Sequence, residues 1–367
     1  MKNVFGNAIT VTLFGESHGD MIGAVLDGIA PGMAIDHEYI EKKLAMRRPS
    51  GKISTARVEA DKYSIVSGVY NGYTTGTPLT LLIENTNTNS SDYCELRDTP
   101  RPGHADYTAE VKYHGYQNPC GGGHFSGRIT AALVAVGAIL SSALSKKGIE
   151  IGTHIASVGS VRDRGFEDIS DDIKSLGERL FPVLSESSAA EMTALIESSA
   201  KDGDSIGGVL ETAIIGLPAG VGEPWFDSVE SRLAHIVFSV PGVKGVEFGD
   251  GFAISNMRGS EANDAFMIDG GKIVTKTNHN GGINGGITNG MPIIMRAAVK
   301  PTPSIYKEQE TVNLKKMKNE ALSIKGRHDP CIVHRARAVV DAVAAIAIAD
   351  MLTERYGTDA LAEGSKL

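Results

Sequence analysis

Five short runs hold most of the side chains that could do acid–base or anion chemistry. The first is Gly15-Glu16-Ser17-His18-Gly19. It fits the G-x-S-x-G form of a hydrolase nucleophile elbow, which requires a strand, a sharp turn and then a helix. The residues that follow, DMIGAVLDGIAPG, hold two glycines and a Pro-Gly pair and do not read as helix. Ser17 and His18 are therefore read as hydrogen-bonding and acid–base groups, because an imidazole titrates near neutrality. A plain strand-end turn is the alternative. The second run, Arg101-Pro102-Gly103-His104-Ala105-Asp106, brings a cation, an imidazole and a carboxylate onto one turn. Such a set can bind or protonate an anion; a solvated polar turn is the alternative. The third, Cys120-Gly121-Gly122-Gly123-His124-Phe125-Ser126-Gly127-Arg128, runs straight into a helix. Consecutive glycines let backbone N–H groups approach a ligand, and a helix N-terminus attracts phosphate or carboxylate. The run is neither a P-loop nor G-x-G-x-x-G. The fourth, NHNGGINGGITNG at residues 278–290, suits tight turns against a flat ligand or an interface. The fifth pairs Lys300-Pro301-Thr302-Pro303-Ser304 with Gly326-Arg327-His328-Asp329-Pro330-Cys331. An arginine for an anion beside a carboxylate for a proton fits this pair best. A zinc reading of His328, Asp329 and Cys331 matches no usual ligand spacing. Asp329 as the cap of the following helix is the structural alternative.

The elements that must position these runs follow from pattern. Ile9, Val11 and Leu13 alternate with threonines and read as a half-buried strand. Asp36 reads as the N-cap of a helix, HEYIEKKLAMRR, with Ile40 and Leu44 on one face and Pro49 beyond its end. Residues 65–69 and 79–84 read as strands. Residues 85–123 show no periodicity, and a polar stretch of that length is expected to be a lid or binding loop that orders on ligand binding. Helices are expected over 128–147, 185–201, 227–240 and 334–356, the last closed by Gly357, and strands over 149–158, 208–217 and 292–299. Strands and helices mix without a strict βαβ rhythm, repeat or linker, which points to one large α+β domain over residues 1–367.

Composition narrows the class. A hydrophobic share of 41% and a charged share of 22% are ordinary for a folded protein, which argues against general disorder. The net charge of −8 disfavours a nucleic-acid partner while leaving room for a local basic pocket. Cys94, Cys120 and Cys331 are odd in number and far apart, so no disulfide framework is expected and a reducing cytoplasm is the natural compartment. The start of the chain lacks the apolar core of a signal peptide. The apolar stretches 131–140 and 342–349 are shorter than the ~20 residues of a spanning helix, so no membrane association is expected.

In their order and approximate spacing, GESHG, RPGHADYT, the GGG-x-x-S-x-R helix start, NGGINGGITNG, KPTPSI and GRHDPC resemble the chorismate synthase family, over nearly the whole chain. The resemblance implies helices sandwiched between β-sheets and a homotetramer. It also implies a carbon–oxygen lyase acting on phosphates, which eliminates phosphate from 5-enolpyruvylshikimate-3-phosphate to give chorismate. That reaction is the last common step of the shikimate pathway to the aromatic amino acids. The implied cofactor is reduced FMN, with NADPH as a possible external reductant or a separate flavin reductase as a partner. By motif, His18 supplies a proton near the flavin, His104 faces the leaving phosphate, and Asp329 assists removal of the ring C6 proton. Ser17 and Ser126 hydrogen-bond in the same site. Flavin contacts are implied for His124, Phe125, Ser126, Pro241, Gly242, Gly286, Lys300, Pro301, Thr302, Pro303, Ser304 and Arg327. Arg48 and Arg128 are implied to hold the substrate or a nicotinamide, since guanidinium matches phosphate and carboxylate in bidentate geometry. No metal is implied.

The chain departs from the commoner pattern GGGRxSARET by His124 and Ile129, has Pro303 where Ser is frequent, and carries Ser54 near an expected cation. Three other classes make distinct forecasts. A flavin-dependent oxidoreductase consumes NAD(P)H steadily with an acceptor, an esterase is labelled at Ser17 by a phosphonate, and a phosphometabolite-binding protein binds without turnover.

Overall fold

Period-two burial builds two antiparallel sheets. The computed structural model describes residues 3–49, 53–54, 60–86, 98–324 and 328–367. The first sheet contains β1 (Val4–Phe5), β2 (Thr10–Gly15), β3 (Met21–Asp27), β4 (Tyr63–Ser67) and β5 (Leu79–Glu84), in the order β1-β2-β3-β5-β4. Ile22, Ala24 and Leu26 alternate inward on β3, and Leu79, Leu81 and Ile83 do so on β5. The second contains β6 (Glu150–Val158), β7 (Val161–Arg162), β8 (Gly208–Ile215), β9 (Val243–Phe248) and β10 (Ile293–Val299), in the order β9-β10-β8-β6-β7. Ile293, Met295, Ala297 and Val299 are its buried stripe on β10.

Helices fill the space between the sheets. In chain order they are α1 (His37–Arg47), α2 (Asp106–Tyr113), α3 (Thr130–Lys146), α4 (Ile169–Leu176), α5 (Glu186–Lys201), α6 (Val229–Val237), the single turn α7 (Gly259–Ala262) and α8 (Val333–Tyr356). Helix α3 packs on the first sheet, α8 packs on the second, and the two lie against each other. Both are enclosed along most of their length, α3 almost wholly by apolar residues and α8 by apolar residues with Arg337, Asp341 and Asp350 buried among them. The expected sandwich of helices between sheets is therefore the architecture found. Helices α4 and α5 add a layer outside the second sheet. There Gly152 leaves room for Ile173, whose side chain would lie 2.8 Å from a Cβ at that position.

Asp36 caps α1 by accepting from Tyr39 N, and Ser185 caps α5 by accepting from Ser188 N, as their types require. Three features differ from the sequence reading. Helix α2 lies within the stretch expected to be irregular; it buries only Ala109 and leaves Tyr107 and Val111 exposed, so it has no apolar stripe to detect. Residues 87–97 of that stretch, with Cys94, lie outside the described residues. Residues 21–27 form a strand, and hairpins at 266–275 and 309–322 had no clear alternation. Among the described residues, Gly127–Lys146 is long and apolar enough to cross a membrane, but 83% of its most apolar window is buried inside the fold.

Gly137 marks the closest approach of α3 to α8. A Cβ there would lie 2.5 Å from Ala342 Cβ and 2.7 Å from Ala342 Cα. Gly-to-Ala in a helix ordinarily stabilises by ~1 kcal/mol, but here the crowding reverses the sign. Gly137→Ala is expected to lower unfolding free energy by ~1–3 kcal/mol in urea denaturation. A stability equal to or above that of the parent protein would contradict the close packing.

Candidate active site

The turn after β2 is spliced to the glycine run. Ser17 N donates to Gly123 O at 3.1 Å. The Asn85 side-chain amide donates to Glu16 O at 2.9 Å and Gly19 O at 2.8 Å, clamping the same turn from the end of β5. Because β3 begins at Met21, the geometry is strand–turn–strand, and the elbow reading of Ser17 is excluded. Ser17 is fully buried; its hydroxyl donates to Cys120 O at 3.4 Å and lies 3.1 Å from His18 Nδ1.

Two imidazoles lie against consecutive glycines. Gly121 and Gly122 have φ of +63° and +100°. A Cβ on Gly121 would come within 1.9 Å of His18 Cε1, and one on Gly122 within 3.2 Å of His104 Cε1. Only glycine satisfies both the left-handed backbone and the room these rings occupy. His124 follows, and its Nδ1 donates to the Gly15 carbonyl at 2.8 Å. A carbonyl only accepts, so Nδ1 carries the proton and Nε2 is left as the other face of the ring.

These segments wall a cleft of about 910 Å³. Val11, Leu13, Ile129, Leu133, Ile332 and Val339 supply apolar lining. Of the residues singled out from sequence, His104, His124, Phe125, Ser126, Arg128, Pro241, Gly242, Lys300, Pro301, Thr302, Pro303, Ser304 and Asp329 meet at this one cleft. Ser17 and His18 stand one layer back, behind Gly121. Arg327 lies outside the described residues. Two assignments need correction. Arg48 is not in the lining; its guanidinium donates to Ala60 O, while its neighbour Arg47 faces the cleft. Gly286 is not in the lining either; its carbonyl accepts from Val229 N at the start of α6.

Arg128 lines the cleft but is held by the protein. Its Nη1 pairs with Asp61, its Nε donates to Asn85 Oδ1 at 2.9 Å, and its Nη2 donates to Glu84 O at 3.1 Å. The same Asp61 carboxylate accepts from Arg47 Nη1 at 3.0 Å, and all three side chains are nearly inaccessible. One carboxylate against two guanidiniums leaves a positive excess in the wall of the cleft, which favours an anionic occupant. Lys300 Nζ, across the cleft, donates to Gly103 O.

Asp329 does not cap α8. The helix begins at Val333, its N-cap Ile332 makes no side-chain capping bond, and the Asp329 carboxylate pairs with Arg335 Nη1 at 2.6 Å. Arg335 Nε donates in turn to Arg47 O at 2.9 Å. Cys331 is fully buried, and burial pushes its thiol up to about 12. Burial, with the Arg101 charge nearby, holds the His328 imidazole below its ordinary value.

The family model for chorismate synthase matches residues 9–353. The chorismate synthase of Pyrococcus abyssi is 46% identical over 350 residues, covering 95% of this chain and 97% of its own. That of Dehalococcoides mccartyi is 47% identical over 354 residues, covering 96% of each. The chain belongs to the chorismate synthase family. A crystal structure of a chorismate synthase superposes with a TM-score of 0.76 at 28% identity, covering 97% of this chain and 94% of that one. As a member, the protein is a carbon–oxygen lyase that eliminates phosphate.

The family motifs led to the two histidines and Asp329, but not to Arg47, Asp61 or Arg335. A signal for Arg47 was present: it follows Ile40 and Leu44 at i, i+4 and i+7 on the buried face of α1. Asp61 and Arg335 carried none: Asp61 pairs with arginines 14 and 67 residues away, and Arg335, six residues from Asp329, also reaches Arg47 O at the end of α1. Asp61→Asn would leave two buried guanidiniums facing a neutral amide. It is expected to cost ~3–5 kcal/mol of stability in urea denaturation, as for other broken buried pairs. A change below 1 kcal/mol would show that the pair is not holding this wall.

Proposed function

We propose that the cleft takes 5-enolpyruvylshikimate-3-phosphate together with reduced FMN and releases chorismate and phosphate. The observation that carries this reading is the convergence of His104, Asp329 and a net positive wall on one cleft, with His18 one layer behind it, in a member of this family. Its volume is at the upper end of the ~300–1,000 Å³ range of small-molecule sites. A substrate with a phosphate and two carboxylates needs the positive excess that Arg47 and Arg128 provide and the cations Lys300 and Arg335 at the rim.

The residues present fit a flavin. Thr302 Oγ1 is buried with no hydrogen-bond partner among the described residues, Phe125 offers a partly exposed ring, and the Pro241-Gly242 backbone and Lys300 complete that side. When bound, reduced FMN supplies transient electron density that weakens the C–O bond to phosphate. The chain's own groups do the proton work. The Asp329 carboxylate, fixed by Arg335, assists departure of the C6 proton. His104 presents a proton towards the leaving phosphate. His18, with Ser17 on its Nδ1, holds a proton beside the cofactor, and Ser126 adds a hydroxyl whose oxygen accepts from Arg128 N at 3.2 Å. NADPH or a separate flavin reductase reduces the cofactor outside this step, in the cytoplasm, and the whole chain acts as a single domain.

An anaerobic assay tests the reading. With substrate and reduced FMN the protein should release phosphate and chorismate; with oxidised FMN and no reductant it should not. Asp329→Asn should bind both ligands yet turn over ~10²–10⁴-fold more slowly, since the amide cannot take a proton as the carboxylate does. Equal turnover with oxidised flavin, or a near-normal rate for Asp329→Asn, would overturn the respective assignment.

The homotetramer is proposed on the family and on exposed rings. Trp225, Phe226 and Phe252 are 83%, 90% and 84% accessible, which suits burial against further copies of the chain. Light scattering at micromolar concentration should give four times the chain mass; a stable monomer would contradict it.

A further inference from the structure

The Arg101–Asp106 pair behind His104 has no part in the roles assigned above. Asp106 is the first residue of α2, but its carboxylate bends back instead of capping the helix. Oδ2 accepts from Arg101 N at 3.0 Å and from Arg101 Nε at 2.7 Å. Oδ1 accepts from Arg101 Nη2 at 2.8 Å and lies 2.6 Å from His104 Nδ1. The fork of Arg101 is thus bidentate on the carboxylate, and Arg101 is itself buried. A separation of 2.6 Å between a ring nitrogen and a carboxylate oxygen requires a hydrogen between them. Arg101 Nη2 also lies 3.1 Å from Nδ1, but it donates to Asp106 Oδ1, so Nδ1 carries the hydrogen of the shorter 2.6 Å contact and Nε2 faces Gly122 and the cleft.

We propose that Asp106, locked by Arg101, is a positioning residue of the elimination: it holds the Nδ1 hydrogen and the ring orientation of His104, so that the doubly protonated ring gives its Nε2 hydrogen to the departing phosphate and is left as the neutral Nδ1–H tautomer. The inference rests on the role of His104 given above and deepens it. The same logic operates wherever a buried carboxylate holds a catalytic imidazole from behind. Burial works against the charge of Asp106, but the hydrogen bonds from Arg101 and His104 outweigh it and hold its carboxyl well below the usual carboxylate range. The carboxylate is consequently held towards its charged form. The other charged or titratable groups around it are Glu110 from α2, Lys300 through Gly103 O, and His328, which lies within the field of Arg101.

Asp106→Asn separates positioning from packing. The amide oxygen takes the two donors at the Oδ2 position, Arg101 N and Nε, so the amide nitrogen stands at the Oδ1 position, gives up the bond from Arg101 Nη2 and turns its N–H towards His104. Nδ1 must then accept, and the proton moves to Nε2 without a change of shape. The anaerobic reaction with reduced FMN should slow by ~10²–10⁴-fold in kcat with KM nearly unchanged. The pH profile of kcat should change, because a carboxylate against the imidazole is replaced by a neutral amide. Nitrogen NMR of ¹⁵N-histidine-labelled protein should show His104 with Nδ1–H in the parent and Nε2–H in the variant. Arg101→Lys, which keeps the charge and loses the fork, is the second variant and should slow kcat by at least ~10-fold. His104→Gln distinguishes the two levels of the argument. If it turns over like the parent, the reading of His104 fails. If it is inactive while Asp106→Asn keeps the parent rate and tautomer, the positioning role is overturned. A lower melting temperature in Asp106→Asn with unchanged kcat, pH profile and tautomer would also overturn it, by showing a purely structural part.

Discussion

The buried Asp61 carboxylate, shared by Arg47 and Arg128, is the constraint on which the cleft depends. Arg47 belongs to the last turn of α1 and Arg128 to the turn before α3, while Asp61 precedes β4. Taking three charges out of water is costly unless every donor finds an acceptor. Here Arg47 also donates to Thr130 Oγ1, Gly127 O and Arg128 O, and Arg128 also reaches Asn85 and Glu84 O. Asn85 passes the constraint on to the GESHG turn. One ionic cluster therefore sets the relative positions of the first sheet, α1, the start of α3 and the turn that carries His18.

The opposite wall hangs on the same cluster through the backbone. Arg335 joins the Asp329 carboxylate to Arg47 O, so the start of α8 is registered against the end of α1. The helices themselves are held by apolar contact, α3 and α8 being enclosed almost throughout. Apolar packing is indifferent to small slides between helices, whereas a charged hydrogen bond has a defined length and direction. The division of labour is physical: burial supplies most of the cohesion, and the ionic bonds supply the register that an acid–base site needs.

Positive charge and glycine then work together. The guanidiniums are committed to protein partners, so they act on an anion through their field, and they do not lose order when the site is empty. The glycine run brings backbone up to both imidazoles without side chains in the way. The departures from the commoner family pattern are absorbed locally: His124 bonds to Gly15 O, and Ser54 Oγ lies 2.8 Å from His334 Nε2 in the interior.

What the sequence determined by itself is what short-range physics controls. Alternation defined β2, a run rich in Ala and Val closed by Gly357 defined α8, and Asp36 and Ser185 stood at helix starts, since periodic burial and capping act within a few residues. The six motifs, read in order, were enough to identify the family. Tertiary structure decided which charge is available for what. Adjacent arginines on α1 part company, Arg47 entering the buried cluster and Arg48 reaching Ala60 O. Arg128 is held by Asp61, 67 residues away in the chain, and Gly286 packs on α6 away from the cleft. Helix α2 forms with little apolar face, and His104 faces its anchor only because the Arg101–Asp106 turn closes behind it. A side chain's type states which bonds it is able to make; the partners that use up those bonds come from remote parts of the chain, and only the fold brings them together.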